Sequence, residues 1–303
     1  MAKYLVTGGA GFIGTNLVKE LLKQGHQIVV LDNYAGGKKE ERFLNGAEYI
    51  EGDIRNEADL DKACQGVQGI FHLAAMPRVT FSVDHPEEAH DVNVNGTLKL
   101  LLAARKYKIK RLVFSSSSSV YGNQPVMPLV ETMVPAPISP YGLHKLIGEH
   151  YCRLFVDLFG VETVSLRYVN VYGPYFDPDG PYALVVGKFI KQAKNGEPMT
   201  VCGDGEYQRD FVHVSDVAQA NLLAMENDGV GKGEVINISS NTAFSVNQVC
   251  ELIGEKFVFV PERPGDVRMT KENNAKAKQL LNWEPKITFE EGIKELKKEW
   301  GLK

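Results

Sequence analysis

The sequence predicts a doubly wound α/β fold, in which helices cover both faces of a parallel β-sheet, followed by a smaller α/β lobe. Apolar segments rich in Val and Ile alternate with helical segments through the first half of the chain. Strands that are apolar along their whole length are typical of a sheet buried on both faces. The 303 residues suffice for such a sheet and a second lobe, at about 150 residues per domain.

Each element of the first half is predicted from its own pattern. Short apolar runs bounded by Gly, Asn or Asp predict strands, and apolar residues three and four positions apart predict helices. The predicted strands are Lys3–Thr7, Gln27–Asp32, 69–73, 111–115 and 163–168, with another just before Asp53. The predicted helices are 14–24, 57–65, 89–107 and Pro140–Phe159.

The pattern changes after Val169. Prolines interrupt it at Pro174 and Pro178, and shorter elements follow as far as a last helix near 289–300. Residues 234–239 look like one more strand that returns to the main sheet. We therefore predict a first domain over residues 1–169 and a smaller lobe over residues 170–303.

Composition excludes several classes of protein. The net charge of -4 provides no basic field for nucleic acid or an anionic membrane. No apolar run approaches the roughly 20 residues of a membrane span, and no secretory signal opens the chain. The four cysteines at 64, 152, 202 and 250 lack metal-site and disulfide spacing. We expect a cytoplasmic protein without a metal site.

The turn between the first strand and the first helix has the composition of a dinucleotide site. Glycines at these positions let the backbone turn tightly and approach a pyrophosphate, which the free N–H groups of the helix N-terminus bind. The residues predicted to hold the cofactor here are Gly8, Gly11, Phe12, Ile13 and Gly14. The first domain is therefore predicted to be a Rossmann domain.

Carboxylates at later strand ends support NAD. Asp32 ends the second strand eighteen residues beyond Gly14, where it would accept hydrogen bonds from the ribose and repel a 2'-phosphate. Its neighbour Asn33 is included in the predicted site. Asp53 and Ile54 follow the third strand and are placed near the adenine, and the segment after the fourth strand borders the cleft with Leu73, Ala74 and Ala75.

Tyr141 and Lys145 form the predicted catalytic pair. They lie four residues apart at the start of a helix, so both project from one face. A phenol has an ordinary pKa of about 10, and a neighbouring ammonium and a cationic nicotinamide would lower it. A strand that ends in five serines, Ser115 to Ser119, precedes Tyr141 and supplies hydroxyls for a reacting oxygen.

The whole chain resembles the extended short-chain dehydrogenase/reductase family, and within it the nucleotide-sugar epimerases. The motifs that carry the resemblance are Thr7 to Gly14, Asn93 to Thr97, the serine-rich strand end, and Tyr141 with Lys145. The resemblance implies that Asn93 and Tyr168 contact NAD and that Ser117 is the catalytic hydroxyl, with Ser118 and Ser119 beside the substrate.

The family's reaction implies the role of each group. Tyr141 would take the proton of the sugar C4 hydroxyl, Ser117 would hydrogen-bond that oxygen, and Lys145 would tune Tyr141 and hold the nicotinamide ribose. The C4 hydride would pass to a tightly bound NAD and return to the opposite face of the 4-keto sugar, so that NAD is regenerated in each turnover.

The second lobe is similar to the family's nucleotide-sugar lobe. The resemblance implies that Asn170 contacts the substrate, that Arg209 and Arg263 bind its diphosphate, and that Asp266 binds the nucleotide ribose. Thr270 stands where the family often has a bulky aromatic that excludes N-acetyl groups. Both UDP-glucose and UDP-N-acetylglucosamine are therefore expected as substrates. Cys202 stands where the family often has an aromatic side chain that stacks on the nucleobase.

Three alternatives stay open. A UDP-glucuronate 4-epimerase is disfavoured by an acidic segment after Pro174, and another nucleotide-sugar enzyme of the family remains possible on sequence alone. A non-catalytic NAD-binding redox sensor would have lost the Tyr or the Lys. We also expect a homodimer, formed by pairing the helices 89–107 and Pro140–Phe159 with those of a second copy.

Overall fold

A seven-stranded parallel sheet forms the centre of the computed structural model, which describes residues 1–178, 185–254, 256–262 and 268–302. Its strand order is β10-β6-β5-β4-β1-β2-β3, and every neighbouring pair is parallel. The order reverses between β1 and β4, and ligands of doubly wound folds bind where the strand order reverses. The predicted fold class is confirmed.

The strands of this sheet are β1 Lys3–Thr7, β2 Gln27–Asp32, β3 Ala47–Glu51, β4 Gly69–His72, β5 Arg111–Ser117, β6 Glu162–Tyr168 and β10 Lys232–Ile238. The remaining described strands are β7 Asn170–Tyr172, β8 Met199–Cys202, β9 Gln208–His213, β11 Ala243–Ser245 and β12 Phe257–Val260. They form a three-stranded sheet, β11-β9-β7, and a two-stranded sheet, β12-β8.

The described α-helices lie on the faces of the sheets. They are α1 Phe12–Lys23, α2 Glu57–Ala63, α3 Val79–Asp84, α4 Pro86–His90, α5 Thr97–Lys106, α6 Pro140–Phe159, α7 Val185–Lys194, α8 Val214–Glu226, α9 Val246–Ile253, α10 Ala275–Leu281 and α11 Phe289–Glu299. Two apolar clusters cover the main sheet, one beneath α1 and α8 and one beneath α2, α5 and α6. Burial of strands such as β1, β2 and β5 on both faces explains their unbroken apolar sequences.

The long helix predicted over residues 89–107 is interrupted. A π-helical turn, Asp91–Gly96, separates α4 from α5. The Asn93 side chain binds both the N–H and the C=O of Met76, at 2.7 and 3.1 Å, and the Gly96 position has no room for a side chain beside Ile54. These contacts join the turn to the loops after β4 and β3, and such tertiary contacts are not visible in a local pattern.

The strand β5 is longer than the predicted 111–115. Ser116 and Ser117 pair with Arg167 and Tyr168 of β6 in register. The last serines of the strand are therefore held by the sheet rather than by a loop. Only Ser118–Val120 form the following 3₁₀ turn.

The second lobe has a core of its own. Aromatic and aliphatic side chains from β7, β8, β9, α7, α9 and α11 pack together, including Phe211 stacked on Phe289 with ring centroids 4.6 Å apart. The strand β10 pairs with β6 at the edge of the main sheet, and α8 packs on that sheet against α1. The chain thus crosses between the two parts more than once. Among the helices in the described ranges, none has the length and apolar content needed to cross a membrane.

Candidate active site

The glycine turn closes tightly between β1 and α1. Gly8 has φ of +70°, and a Cβ there would lie 2.7 Å from Ala74 N. A Cβ on Gly14 would lie 2.2 Å from Gly8 O. The helix begins at Phe12 with Gly11 as its N-cap, and no side chain caps its first N–H groups. These N–H groups and the positive end of the helix dipole form a binding site for an anion, here called the glycine cradle. Gly8 and Gly14 are packed too closely for a residue with a side chain to replace them.

The carboxylate of Asp32 holds this turn. Its two oxygens accept hydrogen bonds from Ala10 N at 3.0 Å and from Tyr34 N at 2.8 Å. Burial raises the pKa of Asp32, and these two backbone N–H groups oppose the rise. Because each carboxylate oxygen has a second lone pair, Asp32 keeps acceptor capacity at the position predicted for the ribose.

Asp53 and Asn33 form a second polar group at the same edge of the sheet. Asn33 donates to Asp53 at 3.0 Å, and the Arg55 guanidinium donates to both Asp53 oxygens at 2.9 and 2.8 Å. Hydrogen bonds from Arg55 lower the pKa of Asp53 to about 2. Ile54 is buried behind this group against Gly96.

The loop after β4 borders the turn on the other side. Leu73 N donates to Thr7 O at 3.1 Å, and Ala74 packs directly on Gly8. Leu73, Ala74 and Ala75 are half-buried beside the turn. Asn93 accepts a hydrogen bond from Met76 N and donates one to Met76 O, and its contact with NAD stays a prediction. It therefore shapes this loop in the structure.

Three predicted catalytic side chains meet at the end of β5. The Ser117 hydroxyl hydrogen-bonds the phenol of Tyr141 and lies 3.0 Å from the Ser119 hydroxyl. Tyr141 opens α6, where Ser139 caps Gly142 N and Ser82 accepts from Tyr141 N. Lys145 Nζ lies 5.7 Å from the centre of the Tyr141 ring. The spacing of four residues thus places phenol and ammonium on one helix face, as predicted.

Burial dominates the electrostatics of the phenol. It raises the pKa of Tyr141 to about 12, while the Ser117 hydrogen bond and the Arg78 charge act in the opposite direction. Burial also lowers the pKa of Lys145 to about 8. The expected low pKa of Tyr141 is therefore absent from the chain by itself, and a further positive charge beside the phenol is needed to produce it.

Lys145 is held by the strand that presents the serine. Its ammonium donates to Ser115 O at 2.7 Å and lies 5.0 Å from the Phe114 ring centre. Tyr168, at the adjacent end of β6, shares its hydroxyl with Ser115 and Asn221 at 3.1 and 3.0 Å. The Tyr168 hydroxyl is thus engaged inside the protein.

Three of the predicted substrate residues, Asn170, Arg209 and Thr270, lie on or beside the strands β7 and β9. Asn170 donates to Asp210 O at 2.8 Å. Thr270 is half-buried and extends alongside β9, with its N–H on Gln208 O and its C=O accepting from Asp210 N, each at 3.1 Å. It thus lies beside Arg209, whose guanidinium is 5.9 Å from the Tyr207 ring centre. The predicted residues Arg263 and Asp266 lie outside the described residues.

Comparison with known proteins decides the family. The model of the NAD dependent epimerase/dehydratase family matches residues 4–239. The chain belongs to this family. The matched region includes the glycine turn, Ser117, Tyr141 and Lys145, and the glycine cradle and open helix N-terminus suit the family's dinucleotide.

Relatives of this epimerase/dehydratase chain are similar over nearly their full length. A putative UDP-glucose 4-epimerase of Methanocaldococcus jannaschii is 41% identical, over 96% of this chain and 95% of the relative. A UDP-glucose 4-epimerase of Thermotoga maritima, solved with UDP-glucose, has a TM-score of 0.93 and 41% identity, with 99% and 98% of the two chains covered. A UDP-N-acetylglucosamine 4-epimerase of Methanobrevibacter ruminantium, solved with UDP-N-acetylmuramic acid, has a TM-score of 0.93 and 36% identity, with 99% and 98% covered.

Several residues of this epimerase-family site are not apparent from its motifs. Arg78 follows β4, and its positive charge lowers the pKa of Tyr141. Arg42 donates to Ala10 O and Tyr175 O, at 3.3 and 2.5 Å, and so ties the glycine turn to the loop after β7. Their partners are distant in sequence. The position of Arg78 after a parallel strand is the one local signal that could have indicated it.

Glu272 is a third residue that the motifs do not indicate. It is fully buried, and burial with the nearby Asp210 charge raises its pKa to about 8. Neither carboxyl oxygen of Glu272 has a hydrogen-bond partner among the described residues, and nearby Ser118 opposes this rise in pKa. Of the two serines predicted to lie beside the substrate, Ser118 therefore faces a buried carboxyl, whereas Ser119 faces Ser117.

Proposed function

We propose that the protein is an NAD-dependent UDP-hexose 4-epimerase that removes hydride from C4 of the sugar and the proton from its C4 hydroxyl, and then returns the hydride to the opposite face of C4 and the proton to the oxygen. The observation that carries this proposal is the meeting of Ser117, Tyr141 and Lys145 at the end of β5, two strands from β1 and its glycine turn. The similarity to UDP-sugar 4-epimerases along nearly the whole chain supports it.

In this proposal the chain supplies the proton chemistry. The glycine turn and Asp32 would hold NAD, which would supply the hydride acceptor. Tyr141 takes the proton from the C4 oxygen, and Ser117 donates a hydrogen bond to the same oxygen. Lys145, fixed by Ser115 O, stabilises the phenolate through its charge.

The energetic requirement on this site follows from the pKa of Tyr141. Lowering a pKa of about 12 to near neutrality needs about 7 kcal/mol of preferential stabilisation of the phenolate, at about 1.36 kcal/mol per unit. Lys145 and Arg78 supply positive charge from the chain, and the oxidised nicotinamide adds another in a low-dielectric cleft. Tyr141 should therefore act as a base when oxidised NAD is bound in the site.

The second lobe would select the nucleotide sugar. Arg209 and Arg263 are proposed to bind the diphosphate, since a guanidinium fits phosphate oxygens, with Asp266 on the ribose and Asn170 on the substrate. Thr270 is smaller than an aromatic side chain. We therefore propose that the site takes both UDP-glucose and UDP-N-acetylglucosamine.

A UDP-glucuronate 4-epimerase remains the second candidate. Arg78, a cation close enough to Tyr141 to affect its pKa, favours it, because a sugar carboxylate needs a positive partner. Asp177 acts on Arg78 and binds Lys39 at 3.1 Å. Asp177 thus offsets part of the positive charge of Arg78 and Lys39, which weakens the case for an acidic sugar.

The experiment is product analysis by proton NMR with three substrates: UDP-glucose, UDP-N-acetylglucosamine and UDP-glucuronate, without added NAD. We expect galacto epimers from the first two and retained NAD after desalting. The variant Thr270→Tyr should keep turnover of UDP-glucose and lose that of the acetylated sugar, with Thr270→Ser as its control. Conversion of UDP-glucuronate alone would replace the proposal with the second candidate.

We also propose that the protein is a homodimer. On α5 and α6, Leu102, Leu154 and Leu158 expose 45%, 48% and 66% of their surface. Exposed leucines on adjacent helices are typical of a face that pairs with a second copy, which would form a four-helix bundle.

A further inference from the structure

A buried ion pair lies directly behind the serine strand. Glu149, on α6, accepts a hydrogen bond from Ser116 Oγ at 2.5 Å. Arg167, on β6, donates to Glu149 through Nε at 2.8 Å and through its terminal nitrogen at 2.7 Å. All three side chains are at least 95% buried. Replacing such a pair by apolar residues is often neutral for stability, so stability alone does not explain it.

The pair places a negative charge on the helix face of Lys145. Glu149 follows Lys145 by four residues, one helical turn, and both are buried. Burial lowers the pKa of Lys145 to about 8, and the Glu149 charge is the largest influence in the opposite direction. Glu149 therefore keeps the ammonium charged at neutral pH.

Arg167 prevents this carboxylate from reaching the ammonium. One Glu149 oxygen is bound by Ser116 and Arg167 Nε, and the other by the terminal Arg167 nitrogen. The Arg167 guanidinium is itself stacked over Tyr121, 4.6 Å from the ring centre. The ammonium instead donates to Ser115 O, and its other two hydrogens stay available.

The other titratable groups near Lys145 are neutral at physiological pH. His72 on β4 has its pKa lowered to about 3, and His144 on α6 to about 4, in both cases mainly by burial. Burial raises the pKa of the Cys152 thiol to about 12. Tyr141 is the remaining partner on the helix. Among these described neighbours, Glu149 is thus the group whose charge acts on Lys145 at neutral pH.

We propose that Glu149 is a positioning residue, a counter-charge that Arg167 holds away from Lys145. In this arrangement Lys145 stays cationic while its hydrogens remain directed to the cofactor and Tyr141. The inference rests on the proposed function only in assigning Lys145 and Tyr141 their roles. The ion pair then sets the protonation of the catalytic pair as well as supporting the strand end.

The test is an ultraviolet titration of the Tyr141 phenolate in the NAD-loaded enzyme with UDP bound, with Tyr141→Phe as the blank. In Glu149→Gln, Lys145 loses its proton at lower pH, so the phenolate midpoint should rise by about one pH unit and activity at neutral pH should fall about tenfold. Ser116→Ala keeps the ion pair, and its midpoint should stay within about 0.3 unit of wild type.

Arg167→Lys tests the separation of the charges. It keeps the positive charge but lacks the two-nitrogen fork, so Glu149 is free to bind the Lys145 ammonium. The turnover number should fall at least tenfold while the Michaelis constant changes little. If Glu149→Gln does not fold, Glu149→Gln with Arg167→Gln removes both buried charges, and a smaller rise in the same direction is expected, because Arg167 offsets part of the effect of Glu149 on Lys145.

An unchanged phenolate midpoint in the folded Glu149 variants would overturn the inference, even where activity is lost, since that result describes a purely structural pair. The proposed function is judged separately. If the wild-type titration and its shift are observed but no UDP-sugar is converted, the proposed function fails and the role of Glu149 stands.

Discussion

Tyr141 shows at the residue scale what a local motif can and cannot predict. The spacing Tyr141 to Lys145 predicts that both side chains share a helix face, and the structure has them so, with Ser117 hydrogen-bonded to the phenol. The pKa of the phenol does not follow from the motif, because burial raises it to about 12. Desolvation depends on the complete fold, which the spacing does not contain.

Replacement of Tyr141 by Phe tests its role. The variant removes one oxygen and keeps the ring, so binding of NAD and UDP should change less than threefold. Loss of the proton acceptor should reduce the turnover number by a factor of about 10² to 10⁴. Single-turnover assays with UDP-glucose would measure this, with Tyr151→Phe on the same helix as the control. Activity within tenfold of wild type would show that another group removes the proton.

Arg78, Glu149 and Arg167 mark the limit of prediction for single residues. Arg167 directly precedes Tyr168 and Glu149 is one turn beyond Lys145, yet nothing local shows that Arg167 and Glu149 bind each other across α6 and β6 at 2.7 Å. Arg78 reaches Tyr141 from the loop after β4. Each contact joins segments that only the sheet order brings together.

At the element scale, the glycine turn was predicted well because its geometry is local. A strand, glycines at fixed spacing and an immediate helix determine the turn almost without help from the rest of the chain. The π-helical turn Asp91–Gly96 is the opposite case. It depends on Asn93 holding Met76, seventeen residues away, so a periodic pattern predicts one unbroken helix instead.

Gly14→Ala tests the turn. The added Cβ would lie 2.2 Å from Gly8 O, and the backbone must shift, at a cost of about 1–3 kcal/mol. We expect at least tenfold weaker NAD binding by calorimetry and a lower melting temperature. Gly254→Ala is the matched control, because Gly254 is extended with φ of 177° and a Cβ there meets no atom within 4 Å. Equal NAD affinity in Gly14→Ala and wild type would contradict the cradle.

His72 joins three elements and makes their assembly dependent on pH. Its ring nitrogens lie 2.8 Å from the Thr7 hydroxyl and 2.9 Å from the Thr97 hydroxyl, linking β4 to β1 and α5. Burial lowers its pKa to about 3, whereas the unfolded chain protonates near 6.5. The unfolded state therefore binds more protons between these values, and stability falls as pH drops below 6.5.

The contribution of His72 should lower the free energy of unfolding by about 2 kcal/mol between pH 7 and pH 5. Urea unfolding at both pH values would measure it. His72→Gln should lack this part of the pH dependence, and the exposed His85→Gln should keep it. An equal pH dependence of the free energy of unfolding in wild type and His72→Gln would show that His72 is accessible to protons in the folded state.

At the scale of the whole molecule, the chain crosses between the main sheet and the second lobe, and side-chain contacts join the two parts. Arg42 ties the glycine turn to Tyr175, and Asn16 on α1 donates to Pro174 O at 2.9 Å. The change of pattern after Val169 predicts a second lobe. It does not predict that α8 would cover the main sheet beside α1, because apolar helices look alike whichever sheet they cover.

The proposed homodimer is tested on the exposed leucines of α6. Leu158→Lys places a charge in the centre of the proposed face, and we expect a shift from dimer to monomer in light scattering after size exclusion. Val134→Lys changes an equally exposed apolar residue, 79% exposed, on a loop, and should leave the dimer intact. A wild-type protein that is monomeric at micromolar concentration would remove this proposal without affecting the active site.

The most direct test of the account follows the hydrogen at C4. UDP-glucose carrying deuterium at C4 is incubated with the enzyme and its own NAD in ordinary water, and the galacto product is examined by NMR. Hydride removal and return within one closed site predicts that the product keeps deuterium at C4. Replacement of that deuterium by solvent hydrogen would show that C4 exchanges through a proton, and the assignment of Tyr141, Ser117 and Lys145 to a hydride-return mechanism would be wrong.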